Sequence, residues 1–476
     1  VTPRQLLDAT QIAFLGRRLR ALLDGARGND LLSISLDLGG GDDDWLGVED
    51  GAWPGVDLTR PACHWWAAPA TSGGREYRLA IGRAIDFQSA GAARFSALQA
   101  AFAGLRAVWR HDDAQRSGRS PLAHLGFAFA DESADGWPNA QLVVPAVLLQ
   151  SAGGRRTATF SCVAAAGETA LAGWLDGLRG NAWQPRRSPA PPLPETVGPL
   201  AGQAFMARVA AALQAIHGGQ LDKLVLARSQ RCTTDCAIDV ATLLATLRDR
   251  HPGCTIYGVA RGGEAFVGAT PERLLALRQG TVQVDALAGS AWRAGGRGWA
   301  ASPSLHDAKN RREQQFVVDA VRAALSPFCS TLAAPQAAEV LQSGALQHLR
   351  TTVHGCLQPG VAFFELLAAL HPTPAVGGWP VATASRWLQS HGERRGAWYS
   401  GGIGWLDRAG DGDSVVALRC ARINGRQAEL FAGAGIVAGS DPAQELAETE
   451  VKLAVIADAL RHARRRRPLA ERAASA

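Results

Sequence analysis

The apolar positions of this chain fall into two kinds of run. In the first they recur every three or four residues. Phe205, Val209, Leu213 and Ile216 share one helical face, and Gly218-Gly219 supplies the stop. Spacing and capping signals of this kind predict helices over 6–23, 92–108, 239–250, 304–325 and 442–461. In the second kind the apolar residues are nearly unbroken, which predicts buried strands at 32–38, 140–149, 221–228, 255–260, 265–269, 273–277, 281–287, 399–406, 414–423 and 428–436. Several of these follow one another across short glycine turns, which favours antiparallel pairing. Strands in runs with helices segregated between them predict an α+β fold.

Composition narrows the class. The 476 residues are 47% hydrophobic and 19% charged, a globular balance. No apolar run approaches the roughly 18 residues of a membrane span. Residues 1–23 mix Arg4, Asp8, Arg17, Arg18 and Arg20 into their apolar positions, unlike a signal peptide. A cytoplasmic protein without a membrane partner is expected. The cysteines form no disulfide framework, and Cys232 and Cys236 lack the spaced partners of a zinc site, so buried thiols are expected. The net charge of +6 gathers at Arg461, Arg464, Arg465, Arg466 and Arg467. No aromatics interleave with these arginines, so they read as a solvated helix end rather than a nucleic-acid surface. Prolines crowd 185–199 and predict an extended linker.

Candidate chemistry lies beyond that linker. Lys223 and Glu272 interrupt two apolar segments, LDKLVLAR at 221–228 and FVGATPERL at 266–274. Burying a charge without a partner is costly. Set across a cleft, an amine and a carboxyl could act as base and acid on one substrate. On the last helix, Glu445, Glu448 and Lys452 project from one face, while Glu450 points elsewhere. Alone this is a solvated face with one ion pair. The strand before it, FAGAGIV at 431–437, carries Gly433 and Gly435, a pattern that admits a ligand close to backbone. Glu313 flanks the buried stripe of the helix that carries Phe316 and Val317. Carboxylates from two helices, with water and a substrate carboxylate, can hold Mg2+. His348 and His371 lie in apolar runs, where a satisfied core role competes with a catalytic one. Tyr399 and Arg419 fall on predicted strands, and a buried arginine needs an anionic partner such as a substrate carboxylate.

In order along the chain, LDKLVLAR, GATPERLL, ALAGSAWR, KNRREQQFVVDAV, LQHLRT, LHPTPAVGG, YSGGIGW, FAGAGIV and ELAETEVKL closely resemble the motifs of the chorismate-binding enzymes. That family includes isochorismate, salicylate, anthranilate and aminodeoxychorismate synthases. The resemblance spans about residues 200–460 and implies a two-lobed α+β fold with large, mostly antiparallel sheets, outer helices and a site between the lobes. It also implies a variable N-terminal half with a proline-rich linker at 1–195, a catalytic region at 196–462 and a basic tail at 463–476.

Carried over residue by residue, the resemblance implies that Lys223 activates water for attack at C2 of chorismate. Glu272 would protonate the departing C4 hydroxyl. Glu313 and Glu448 match Mg2+ carboxylates, with Glu445 close by, and the ion would hold the ring carboxylate. His348 lies beside that carboxylate and Lys452 supports it. Tyr399, Arg419, Gly433 and Gly435 match the grip on the enolpyruvyl carboxylate, and Ala375, Gly289 and Ser290 complete the substrate-binding set. A lysine must be neutral to act as a base, which burial favours. An acid must keep its proton, which apolar surroundings also favour.

Three positions discriminate within the family. Lys223 resembles the water-adding members. Ala288 stands where aminodeoxychorismate synthases carry lysine. Ala375 stands where salicylate synthases tend to carry threonine. The resemblance therefore implies an isochorismate synthase acting on chorismate with Mg2+ as cofactor, and a monomer, with salicylate synthase as the alternative. Siderophore, salicylate and menaquinone pathways all use isochorismate, and the sequence does not choose among them. Gln314 and Asn310 replace a usual histidine and aspartate, and 395–399 is one residue longer than the common Arg-Gly-x-Tyr. A binding protein on a dead enzyme scaffold would lack the base, the acid or a metal carboxylate; here all are present.

Overall fold

The computed structural model describes residues 6–41, 44–45, 63–132, 136–180, 199–292, 305, 307–343 and 346–463. Most of the proline-rich linker and the arginines at 464–467 lie outside the described residues.

Two large sheets form the framework, one of twelve strands and one of ten among the described residues. In the larger sheet the order from one edge is Gly378–Trp379, Lys223–Thr233, Gln427–Val437, Cys420–Asn424, Glu264–Thr270 and Thr255–Arg261, followed by strands from the first 165 residues. Its pairings are antiparallel except for Leu31–Gly40 beside Trp109–Asp112. The smaller sheet joins Leu346–Leu357, Thr281–Trp292, Arg273–Arg278, Gly412–Val416 and Gly402–Asp407 to Leu122–Phe127. The N-terminal half thus feeds both sheets. Cys63–Ala67 pairs with Thr255–Arg261, and Leu122–Phe127 with Gly402–Asp407.

Side chains from both sheets meet in one inner layer, with Tyr257, Phe266 and Phe431 from the larger against Ile403, Trp405 and Val415 from the smaller. Helices close the outer faces. Ala9–Leu23, Val240–Arg250 and Pro442–Ala463 cover the larger sheet, and Arg94–Val108, Ala308–Leu325 and Phe363–Leu370 the smaller. Alternation along Lys223–Thr233 sorts its residues. Leu224 and Leu226 face Phe205 and Val209 of an outer helix, which turns Lys223 and Val225 inward.

Three predicted strands need correction. The run 140–149 is two strands, Ala140–Val144 in the smaller sheet and Val147–Ala152 in the larger. Pro145 falls at the break, where a missing N–H cannot continue a ladder. The run 414–423 also divides, into Gly412–Val416 and Cys420–Asn424, and Arg419 sits at the break with φ +47°. The strand predicted from 399 begins at Gly402, leaving Tyr399 in the turn before it. Five cysteines are buried and none of the eight is bridged. Among the described residues no helix is long and apolar enough to cross a membrane.

Candidate active site

Where the chain passes from one sheet to the other, backbone must leave both ladders. Two such crossings lie side by side, one at Pro271-Glu272 and one at Ala417-Leu418-Arg419. They are tied by their own backbone. Ala269 N–H donates to the Arg419 carbonyl and Val416 N–H to the Glu272 carbonyl, each at 3.1 Å. A cavity opens beside this junction, walled by both sheets and by the helices Ala308–Leu325 and Pro442–Ala463.

Lys223 projects inward from its strand and is fully buried. Its Nζ lies 2.9 Å from Glu313 Oε1, and Glu313 lines the cavity. Gly435 makes room for the pair. A Cβ there would stand 2.5 Å from Glu313 Oε1 and 3.3 Å from Lys223 Cε. The glycine pattern in 431–437 thus admits protein side chains against the strand. Gly433 does the same, since a Cβ on it would lie 2.8 Å from Tyr399 Oη.

Glu272 lines the same cavity and is buried. Burial raises its carboxyl to about 8, against the pull of Lys223, and the charge of Asp285 adds to the rise. It therefore carries a proton at neutral pH.

His348 and Arg419 line the same cavity. A guanidinium can only donate, so Arg419 Nη2 donates to His348 Nε2 at 2.9 Å, which leaves the ring proton on Nδ1. Burial first, then the cations Arg419 and Lys452, push the imidazole down to about 3, so it stays neutral. A backbone hydrogen bond at Gly289 meets the ring. Gly289 is needed for its φ of +71° and because a Cβ would meet the Asn310 backbone carbonyl at 3.1 Å. That close approach brings the first turn of Ala308–Leu325, and with it Glu313, onto the sheet. Gln314 fixes the same helix by donating to the Ala286 carbonyl at 3.0 Å and to Thr351 Oγ1 at 3.1 Å.

The remaining predicted residues are placed as follows. Lys452 pairs with Glu448 at 2.5 Å and donates to the Gly433 carbonyl at 2.8 Å. Glu450 pairs with Arg228, away from this group. Tyr399 lines the cavity despite the longer segment, because Trp398 is absorbed between the sheets against Gly126. Ala375 and Gly289 line it as well. Ser290 stands opposite His348 in the strand pairing, and its side chain lies outside the described residues. Glu445 is buried in the first turn of its helix and does not line the cavity. Among the described residues no three His, Cys, Asp or Glu side chains form a metal-ligand cluster. Two carboxylates, Glu313 and Glu448, face the cavity. His371 is a packed core residue, its Nε2 3.0 Å from the Phe129 carbonyl.

Sequence reasoning missed Arg395 and Ser400, which also line the cavity. Arg395 opens the segment 395–399 compared above with the family's Arg-Gly-x-Tyr, but sequence reasoning assigned it no role in the site.

The profile described as "Chorismate binding enzyme" matches residues 61–461. A Pseudomonas aeruginosa protein named salicylate biosynthesis isochorismate synthase is 33% identical over 432 residues, covering 86% of each chain. The isochorismate synthase MenF of Bacillus subtilis is 31% identical over 370 residues, 75% of this chain and 78% of that one. In three dimensions the fold is that of the menaquinone-specific isochorismate synthase from Escherichia coli, with a TM-score of 0.72 at 23% identity over 96% of this chain and 100% of that one.

Proposed function

The chain belongs to the chorismate-binding enzyme family, and from that premise we propose that it converts chorismate to isochorismate. The observation that carries the reading is geometric: Glu272 and Glu313 line one cavity, and the Lys223 Nζ lies 2.9 Å from Glu313 Oε1. A carboxyl that stays protonated to about pH 8 faces the cavity whose Glu313 is paired with a buried primary amine. A buried acid on the cavity wall and an amine set behind that wall beside Glu313 suit a reaction that protonates one side of a ring and deprotonates water on the other.

In this reading the Lys223 amine takes a proton from water as the oxygen adds to C2. The ring double bonds shift, and Glu272 gives its proton to the C4 hydroxyl, which leaves as water. One water enters and one leaves, so substrate and product are isomers. In the same reading Arg419, with its planar fork, and Tyr399, both lining the cavity, take the enolpyruvyl carboxylate.

Glu313 and Glu448 fit a Mg2+ ion, because that ion binds through one or two carboxylates and completes its shell with water and substrate oxygens. Both line one cavity, and each lies beside a lysine Nζ, Glu313 at 2.9 Å from Lys223 and Glu448 at 2.5 Å from Lys452. When bound, the ion supplies charge that holds the ring carboxylate. Glu445 is set too deep to line the cavity.

The test is incubation of the protein with chorismate and MgCl2, with products resolved by chromatography. Isochorismate approaching a fixed ratio to chorismate is expected. Salicylate with equimolar pyruvate would make the protein a salicylate synthase, and no consumption of chorismate would remove the reading.

A further inference from the structure

Arg395 lies at the cavity wall, only 8% exposed, and its guanidinium reaches three separate parts of that wall. Nη2 donates to the Val225 carbonyl at 2.9 Å. Nη1 donates to the Val376 carbonyl at 2.6 Å and to Ser400 Oγ at 2.8 Å. Val225 follows Lys223 by two residues and shares its strand face. Val376 adjoins Ala375, and Ser400 adjoins Tyr399.

The group that makes these contacts is itself fixed. The guanidinium plane lies 3.7 Å above the centre of the Phe129 ring. Nε faces Glu393 Oε1 at 3.3 Å, and both side chains are buried. Glu393 also accepts the Ala227 N–H at 2.8 Å and pairs with Arg208 from the helix Pro199–His217. The planar fork spreads its donors over separate nitrogens and so reaches two carbonyls and a hydroxyl that lie apart, whereas an ammonium carries its three donors on one nitrogen.

The turn that Arg395 closes is strained. Ala397 has φ +48° and Ser400 φ +55°, in the left-handed region that side chains with a Cβ rarely enter. Such positions are unfavourable and persist only where surrounding contacts impose them. Here those contacts are the Arg395 bond to Ser400 Oγ and the Ser400 N–H bond to the Ala417 carbonyl at 2.8 Å.

We propose that Arg395 is a positioning residue that fastens the wall bearing Lys223 to the walls bearing Ala375 and Tyr399, and so sets the fit of the ring substrate. The inference rests on the reading of the cavity as the chorismate site. Substrate binding depends on the spacing of these walls, while the reacting groups are held separately through Glu313 and the crossing at Glu272. Loss of Arg395 therefore weakens binding more than it slows chemistry.

The test compares Arg395→Lys with the wild-type chain in steady-state kinetics with chorismate and Mg2+. Lysine keeps the charge opposite Glu393 but offers one nitrogen where arginine offers three. KM is expected to rise about tenfold with a smaller fall in kcat, the sign of lost binding. Ser400→Ala, which removes one of the three Arg395 contacts together with the hydroxyl's own bond to the Tyr399 carbonyl, is expected to shift KM the same way by about threefold. If Arg395→Lys does not fold by circular dichroism, the double variant Arg395→Met with Glu393→Gln removes both charges and is measured by the same criterion. An unchanged KM in the folded variant, whatever happens to its melting temperature, overturns the proposal. A wild-type chain that leaves chorismate untouched sinks the functional reading instead, so the two failures are distinct.

Discussion

Lys223 Nζ and Glu313 Oε1 lie 2.9 Å apart, and they meet only because residue 435 has no side chain. Each comes from a different layer, the lysine from the larger sheet and the glutamate from a helix packed on the smaller. The pair thus joins the two layers at the cavity wall and couples the amine to Glu313, which lines the cavity. A buried ion pair of this kind is sensitive to loss of either partner, since the remaining charge is left uncompensated.

Gly435→Ala tests that dependence. Its methyl would stand 2.5 Å from Glu313 Oε1, so the carboxylate must swing away from Lys223. A displacement of about 1 Å at reacting groups can cost on the order of 100-fold in rate. We expect a kcat loss of about that size with a folded protein, read by steady-state kinetics and circular dichroism. Gly433→Ala presses on Tyr399 Oη instead and is expected to act mainly on KM.

Lys223→Ala and Glu272→Gln each remove one group to which the proposed reaction gives a proton transfer. Losses of roughly 10²–10⁴ in turnover are expected for either, with the fold retained. Wild-type rates in one of them would remove that residue's role.

The pH profile follows from Glu272. The acid must be protonated, so activity is expected to fall as pH rises through about 8. The sign for stability is the same. Between the ordinary 4.5 and about 8, the unfolded chain gives up this proton and the folded chain keeps it, so stability declines as pH rises through that window. Glu272→Gln removes that dependence. Urea titrations of both proteins at pH 5 and pH 8 measure it, and a steeper decline in the variant would contradict the assignment.

Acid lability has a different source. Burial lowers His64 to about 4, and His348 and His371 to about 3, from an ordinary 6.5. As pH falls below 6.5 the unfolded chain takes up these protons first. Stability is then lost at about 1.4 kcal/mol per pH unit for each ring until its folded value is reached. His348→Gln is expected to flatten this slope. It also deprives Arg419 of its imidazole partner and is expected to raise KM for chorismate.

Much of the framework was legible because strands and helices impose different periods on the apolar residues. Two of the three strand corrections share one cause. At 140–149 and 414–423 an unbroken apolar run conceals a crossing between two sheets that bury the same inner layer, so hydrophobicity does not change where the hydrogen-bonding partner does. Lys223, Glu272 and Arg419 were legible as charges inside such runs. Glu445 and Glu448 share a helical face by spacing, yet spacing carries no depth, and only Glu448 reaches the cavity. Arg395 was hidden because its neighbours are charged and its partners are backbone carbonyls contributed by distant segments.

The central claim is that water becomes the C2 oxygen of the product while the C4 oxygen departs. Turnover of chorismate in ¹⁸O-labelled water, followed by mass spectrometry of the isochorismate at early times, measures this directly. One ¹⁸O in the new ring hydroxyl is expected, with label entering recovered chorismate as the reaction reverses. Isochorismate that keeps only the original oxygen would contradict water addition and, with it, the assigned roles of Lys223 and Glu272.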